Sequence, residues 1–170
     1  SGGLDSFIGA IDSLVEDSQE IIFVSHYGGG KGVREYQQLL QAELERKFAI
    51  GSDRFFSYYA APPDGKEDTM RSRSFMFFSH AIALASCFEG EIELIVPENG
   101  YISLNIPLTF SRLGSSSTRT THPYYMTMLQ KLLNDLGLSI QIINPYQFKT
   151  KGEMVIECKN QEFLRGNISN

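Results

Sequence analysis

The chain has little cysteine, no long apolar run, no excess of positive charge and no internal repeat. Its two cysteines, Cys87 and Cys158, stand far apart and outside any C-x-x-C pair. That excludes a disulfide framework or a zinc-ligand cluster built from these residues. No apolar stretch reaches the roughly 18 residues that cross a bilayer, so no membrane contact is expected. Fifteen Lys and Arg against 20 Asp and Glu leave a net charge of −5, which argues against general nucleic-acid binding. The opening residues show no secretory pattern, and a reducing, cytoplasmic setting is the default expectation. An initiator Met is missing and the first residue already lies inside a motif. The expectation is a piece of a longer protein, cut before its first strand.

What is present fits one α/β domain, since 170 residues can bury a real core. Leu4 to Glu16 carries Leu4, Phe7, Ile8, Ile11 and Leu14–Val15 on one helical stripe. Helical periodicity returns over Val33–Phe48, Arg71–Cys87 and Tyr124–Leu136, the last closed by Gly137. Short β-rich runs lie at Glu20–Ser25, Arg54–Ala60, Ile92–Val96 and Ser139–Ile143. Glu98 to Pro123 reads as a long polar loop, a length that is often functional. Thr150 and Glu153 have capping-box spacing, so a last helix is predicted to open there. Strands alternating with helices imply a parallel sheet, which takes ligands at its strands' carboxyl ends. In that order a further strand precedes the opening motif.

The opening string SGGLDS sits where a loop meets a helix. Gly2 and Gly3 admit backbone shapes closed to other residues and keep side chains out of a ligand's way. Ser1 and Ser6 bring hydroxyls, and the helix start favours an anion. No Walker lysine is present. Asp5 suits such a site as a helix cap or as a ligand to Mg²⁺ held through phosphates. Taken alone, a Ser-Gly turn ahead of an ordinary capped helix explains the same residues.

The whole string resembles the SGGxDS signature of the PP-loop ATP pyrophosphatases. RSRSFMFFSHAIALA, from Arg71 to Ala85, resembles the second segment of the 7-cyano-7-deazaguanine synthase family, QueC. YGGGKGVREYQQLL, PENGYISLNIPLT, STRTTHP and KTKGEM resemble more closely the QueC-like QatC branch of the Qat anti-phage systems. The likeness spans nearly the whole chain. It implies a Rossmann-like parallel sheet with helices on both faces, ATP and Mg²⁺. In that fold the strand before SGGLDS lies between those at Glu20–Ser25 and Ile92–Val96, and its place is left either vacant or closed by direct pairing of those two. It also implies adenylation of a deazapurine-like carboxylate with release of pyrophosphate, then amide or nitrile formation. The defence branch implies a protein acceptor, other defence-system proteins as partners, and a homodimer. The rival readings are a non-catalytic nucleotide-binding regulatory subunit and a housekeeping enzyme of queuosine biosynthesis. This chain departs from the family in two places. The family's C-terminal cysteine cluster for zinc is missing, and Arg119-Thr-Thr-His-Pro123 replaces a Pro-Asp-Cys-Arg-Pro segment.

The candidate ATP-binding residues are Ser1, Gly2, Gly3, Leu4, Asp5 and Ser6, with Lys31 in the GGGKG loop and Ser25 and His26 at a strand end. The family places adenine near His26. Lys31 reads equally as part of a surface turn. Arg71 and Arg73 stand at a helix start, where the dipole does not favour cations, and are assigned to the activated phosphate. Glu98, Asn99, Arg119 and Thr120 are the substrate-side candidates, and ordinary loop polarity explains them as well. His122 is a proton shuttle or a turn residue. Asp5, Ser6, Arg71, Arg73 and His122 form the catalytic set. His80 and Cys87 read as helix packing. Elemental analysis should find no stoichiometric zinc in the 170-residue chain and one zinc in the longer protein; zinc in the former overturns this reading.

Overall fold

The computed structural model describes residues 3–16, 21–27, 32–60, 73–104 and 121–168, with the backbone alone for Arg73. It is a mixed α/β structure. The described elements are α1 (Leu4–Glu16), β1 (Phe23–His26), α2 (Val33–Phe48), β2 (Phe55–Tyr58), α3 (Arg73–Ala85), β3 (Ile92–Ile95), α4 (Gly100–Leu104), α5 (Pro123–Asp135), β4 (Ile140–Ile143), α6 (Lys151–Glu157) and α7 (Gln161–Ile168). The chain divides into two compact units, residues 1–65 with 152–170, and residues 66–151. None of the described helices is long and apolar enough to cross a membrane.

In the first unit β1 pairs in parallel with β2, setting Phe23 beside Phe55 and His26 beside Tyr58. Parallel strands cannot be joined by a tight hairpin, and α2 supplies the long connection. Most of the stripe read on α1 is core: Phe7, Ile8, Ile11 and Leu14 are buried with Leu40, Leu44, Met154, Phe163 and Leu164, whereas Leu4 is half-buried and Val15 is exposed. Phe163 joins the ends of this unit, its ring 5.8 Å from those of Phe7 and Phe48. The buried Asp12 carboxylate accepts the Lys159 N–H at 2.8 Å, tying the α6–α7 corner to α1. Lys159 also pairs with Glu16.

The second unit holds the parallel pair β3–β4, with Ile92 beside Ile140. Its core centres on Ala85, Leu133 and Ile140, with Ile82, Ile92, Leu94, Leu138 and Ile142 packed around them. Gln130 of α5 works as a piece of strand. Its Nε2 donates to Ile140 O at 2.9 Å and its Oε1 accepts from Ile142 N at 2.8 Å. A polar edge of β4 is thereby satisfied without another strand. The end of α5 is a Schellman turn: Gly137 N donates to Asn134 O and Leu138 N to Leu133 O. Gly137 takes the left-handed φ of 71° that this turn requires.

Two expectations are corrected. The long loop from Glu98 contains helix α4, because the Asn99 side chain accepts the Ile102 N–H and caps it. The helix at Thr150 is α6, yet it is not the last. Asn160 Oδ1 accepts from Phe163 N, and α7 follows. The parallel pairing holds in both ladders. Among the described residues β1 pairs with β2 alone and β3 with β4 alone, so direct β1–β3 pairing does not occur.

The C-cap of α2, Ala49, sits in the left-handed region at φ 53° and ψ 39°. A Cβ is unfavourable there, so Ala49→Gly should stabilise the protein by about 0.5–1 kcal/mol. Denaturant unfolding measures this; an unchanged or lowered midpoint contradicts it.

Candidate functional site

The described part of SGGLDS opens α1. Gly3 is exposed and its carbonyl accepts the Phe7 N–H at 3.1 Å, closing the first turn. First-turn amides of a helix have no carbonyl within the helix to bond, and its dipole puts partial positive charge there. Leu4 and Ser6 are half-buried. Asp5 is 7% exposed and is the one acidic residue of that turn. Phe7, Ile8 and Ile11 follow at once in the core. Ser1 and Gly2 lie outside the described residues. No group of three or more His, Cys, Asp or Glu able to hold a metal occurs among the described residues.

Ser25 and His26 end β1, at the carboxyl side of the first parallel pair. Ser25 Oγ lies 3.2 Å from Ser57 Oγ on β2. His26 Nε2 lies 2.9 Å from Ala60 O and 3.2 Å from Ala60 N. One ring nitrogen cannot serve both, so the tautomer decides whether it donates or accepts. Gln37 Nε2 donates to His26 O at 3.1 Å. Beside them Tyr27 and Tyr59 pack at 5.5 Å, with the Arg34 guanidinium 4.7 Å from the Tyr27 ring centre. Ser57, Tyr59, Gln37 and Arg34 were not singled out from sequence. They meet β1 through strand register and through α2, and no local pattern announces either. Lys31 lies outside the described residues.

In the second unit the carboxyl ends of β3 and β4 carry a polar cluster. Thr121 Oγ1 donates to Glu98 Oε2 at 3.1 Å, and Ser103 Oγ lies 2.9 Å from Thr121 Oγ1. Asn144 Nδ2 donates to Glu98 O at 2.9 Å. Asn99 is buried and caps α4. A Cβ on Gly100 would lie 2.2 Å from Gln147 O, so only glycine lets these two loops meet. His122 is the N-cap of α5: its Nδ1 accepts the Tyr124 N–H at 3.2 Å, ahead of Pro123. The structure thus brings Glu98 and Asn99 together with Thr121, beside His122 in sequence. Thr121, Ser103 and Asn144 escaped the sequence reading because short polar residues in loops carry no distinguishing spacing. Arg71, Arg119 and Thr120 lie outside the described residues, as does the side chain of Arg73.

Compared with protein-family models, with curated proteins and with solved structures, the chain matches none of them.

The two cysteines differ in environment. Cys87, read from sequence as packed on its helix, is exposed because α3 ends at Ala85, whereas Cys158 is 4% exposed. Burial, helped by the neighbouring Asp12 carboxylate, pushes the Cys158 thiol above its ordinary value, against a smaller pull from the Asn160 backbone. Burial raises the Tyr125 phenol likewise. An unfolded chain releases these protons first, so stability present below the ordinary thiol value near 9.0 is lost as pH rises. A thiol reagent should label Cys87 in the native protein and Cys158 only on unfolding, and Cys158→Ala should lose less stability above pH 9.0 than the parent. Equal native labelling of both thiols contradicts this.

Proposed function

We propose that this chain is the ATP-pyrophosphatase part of a QueC-like ligase, built on a Rossmann-like sheet and working in the cytoplasm. The observation that carries the reading is SGGLDS opening the core helix α1, with Asp5 in its first turn. A glycine turn running into a helix anchored by Phe7, Ile8 and Ile11 is suited to hold a phosphate without moving.

In the first step a carboxylate oxygen of a deazapurine-like substrate attacks the α-phosphorus of ATP. The bond from that phosphorus to the bridging oxygen breaks, and pyrophosphate leaves. An amine then attacks the acyl carbon, and AMP leaves as the amide forms. Ser1 to Ser6 bind the departing pyrophosphate through amides and hydroxyls. Mg²⁺, held through Asp5 and the phosphates, supplies charge neutralisation when bound. Arg71 and Arg73 balance the charge of the activated phosphate, and Glu98, Asn99, Arg119 and Thr120 hold the substrate. His122 takes the proton of the attacking amine. Catalysis here is chiefly positioning and preset electrostatics. The likeness to the defence branch favours an amide on a protein acceptor over a nitrile on the free base.

The test is pyrophosphate release from ATP by the full-length protein with 7-carboxy-7-deazaguanine as probe. Asp5→Ala and Ser6→Ala should each lower the rate by about a hundredfold or more, the scale of losing a preset charge-stabilising group. Unchanged rates in both variants, with melting curves showing them folded, sink the assignment.

A further inference from the structure

The segment that follows β3 carries the dipeptide Asn99–Gly100, and no other asparagine of the chain precedes a glycine. This pair is chemically labile. Asparagine is a thermolabile residue, and glycine has no Cβ to hinder attack by its own nitrogen on the neighbouring side chain. Packing nevertheless demands both residues. Asn99 Oδ1 accepts the Ile102 N–H at 3.3 Å and caps α4. A Cβ at position 100 would lie 2.2 Å from Gln147 O, which admits glycine alone.

The same contacts hold the reaction off. Attack requires the Gly100 nitrogen to give up its proton and to reach Cγ of Asn99. That proton is donated to Lys149 O at 2.8 Å, and the Asn99 carboxamide is engaged with Ile102. Asn99 is 3% exposed and Gly100 is buried, so water is kept away as well. The flanking main chain is fixed too. Asn144 Nδ2 donates to Glu98 O at 2.9 Å, and Glu98 N donates to Val96 O. Segments 98–100 and 144–149 are thus stitched into one rim.

We propose that Asn99–Gly100 is a latent self-modification site, held off by this rim and released when the rim opens. In the open state the Gly100 nitrogen loses its proton to water and bonds to Asn99 Cγ. The Cγ–Nδ2 bond breaks, and Nδ2 takes up a proton and leaves as ammonia. No oxidant or cofactor enters the balance. Water then opens the five-membered imide at either of its carbonyl carbons. One opening gives aspartate, which is still a good helix cap. The other gives isoaspartate and adds a methylene to the main chain. That carbon has no place where Gly100 already meets Gln147 without room for a Cβ. The rim then does not re-form, and the change runs one way. The site is independent of the ATP chemistry proposed above.

The experiment incubates the full-length protein at mildly alkaline pH, folded or in urea, and follows Asn99 by peptide mass mapping with isoaspartate detection. Modification should be at least about tenfold slower in the folded protein, because a buried segment reacts only through its opened fraction. Asn144→Ala removes one stitch without touching the pair. It should speed the folded-state reaction about fivefold, the scale of one hydrogen bond, and react like the parent in urea. Equal rates in the folded and unfolded parent overturn the proposal, and so does an unchanged folded-state rate in Asn144→Ala. Products that lack isoaspartate overturn the one-way step. If melting shows Asn144→Ala unfolded, the parent in urea below its unfolding midpoint carries the comparison. A rate that climbs ahead of the unfolded fraction supports gating by the rim, and one that only follows the unfolded fraction overturns it.

Discussion

Parallel pairing is the constraint from which the rest of this structure follows. Two parallel strands need a long crossover between them, so β1 reaches β2 through α2, and β3 reaches β4 through a segment containing α4 and α5. Of these crossover helices α5 packs on β4, Leu133 against Ile140. The crossovers also place both carboxyl ends of each pair on one side, and the polar residues that leave those ends gather there. Ser25 meets Ser57 at one pair, and Glu98 meets Asn144 at the other. Ligand sites in open α/β sheets arise at such ends for this reason.

A ladder of two strands leaves edges that must be satisfied. The β3–β4 pair answers with a side chain, the Gln130 amide bonding both a carbonyl and an N–H of β4. Other polar side chains are paired in the same way. Asp12 takes the Lys159 amide, Asn160 caps α7, and the Gln161 amide donates to carbonyls at the end of α6. Each would be destabilising if buried without its partner. These bonds join residues as far apart as Asp12 and Lys159, and so fix tertiary arrangement more than helix content.

The first unit is closed by its helices. Phe163 of α7 touches rings from α1 and α2, and the Lys47 ammonium lies 5.9 Å from its ring centre. This packing holds the start of α1, and hence the described part of SGGLDS, against a core assembled from residues near both ends of the sequence.

Local chemistry was legible in the sequence. The stripe Phe7, Ile8, Ile11 and Leu14 marked α1 and its buried face, Gly137 marked the close of α5, and the short apolar runs marked each of the described strands. Those signals depend on periods of 3.6 and 2 residues and on a single backbone conformation, all written in neighbouring residues. Helices α4 and α7 were missed because each is short and begins at an asparagine cap whose bond to the backbone is visible only once the turn has formed. The strand register, the Gln130 bonds to β4 and the Ser103–Thr121–Glu98 chain were decided by the tertiary structure alone. Such contacts depend on which segments pack together, and a hydroxyl in a loop has no preferred partner until packing brings one within reach.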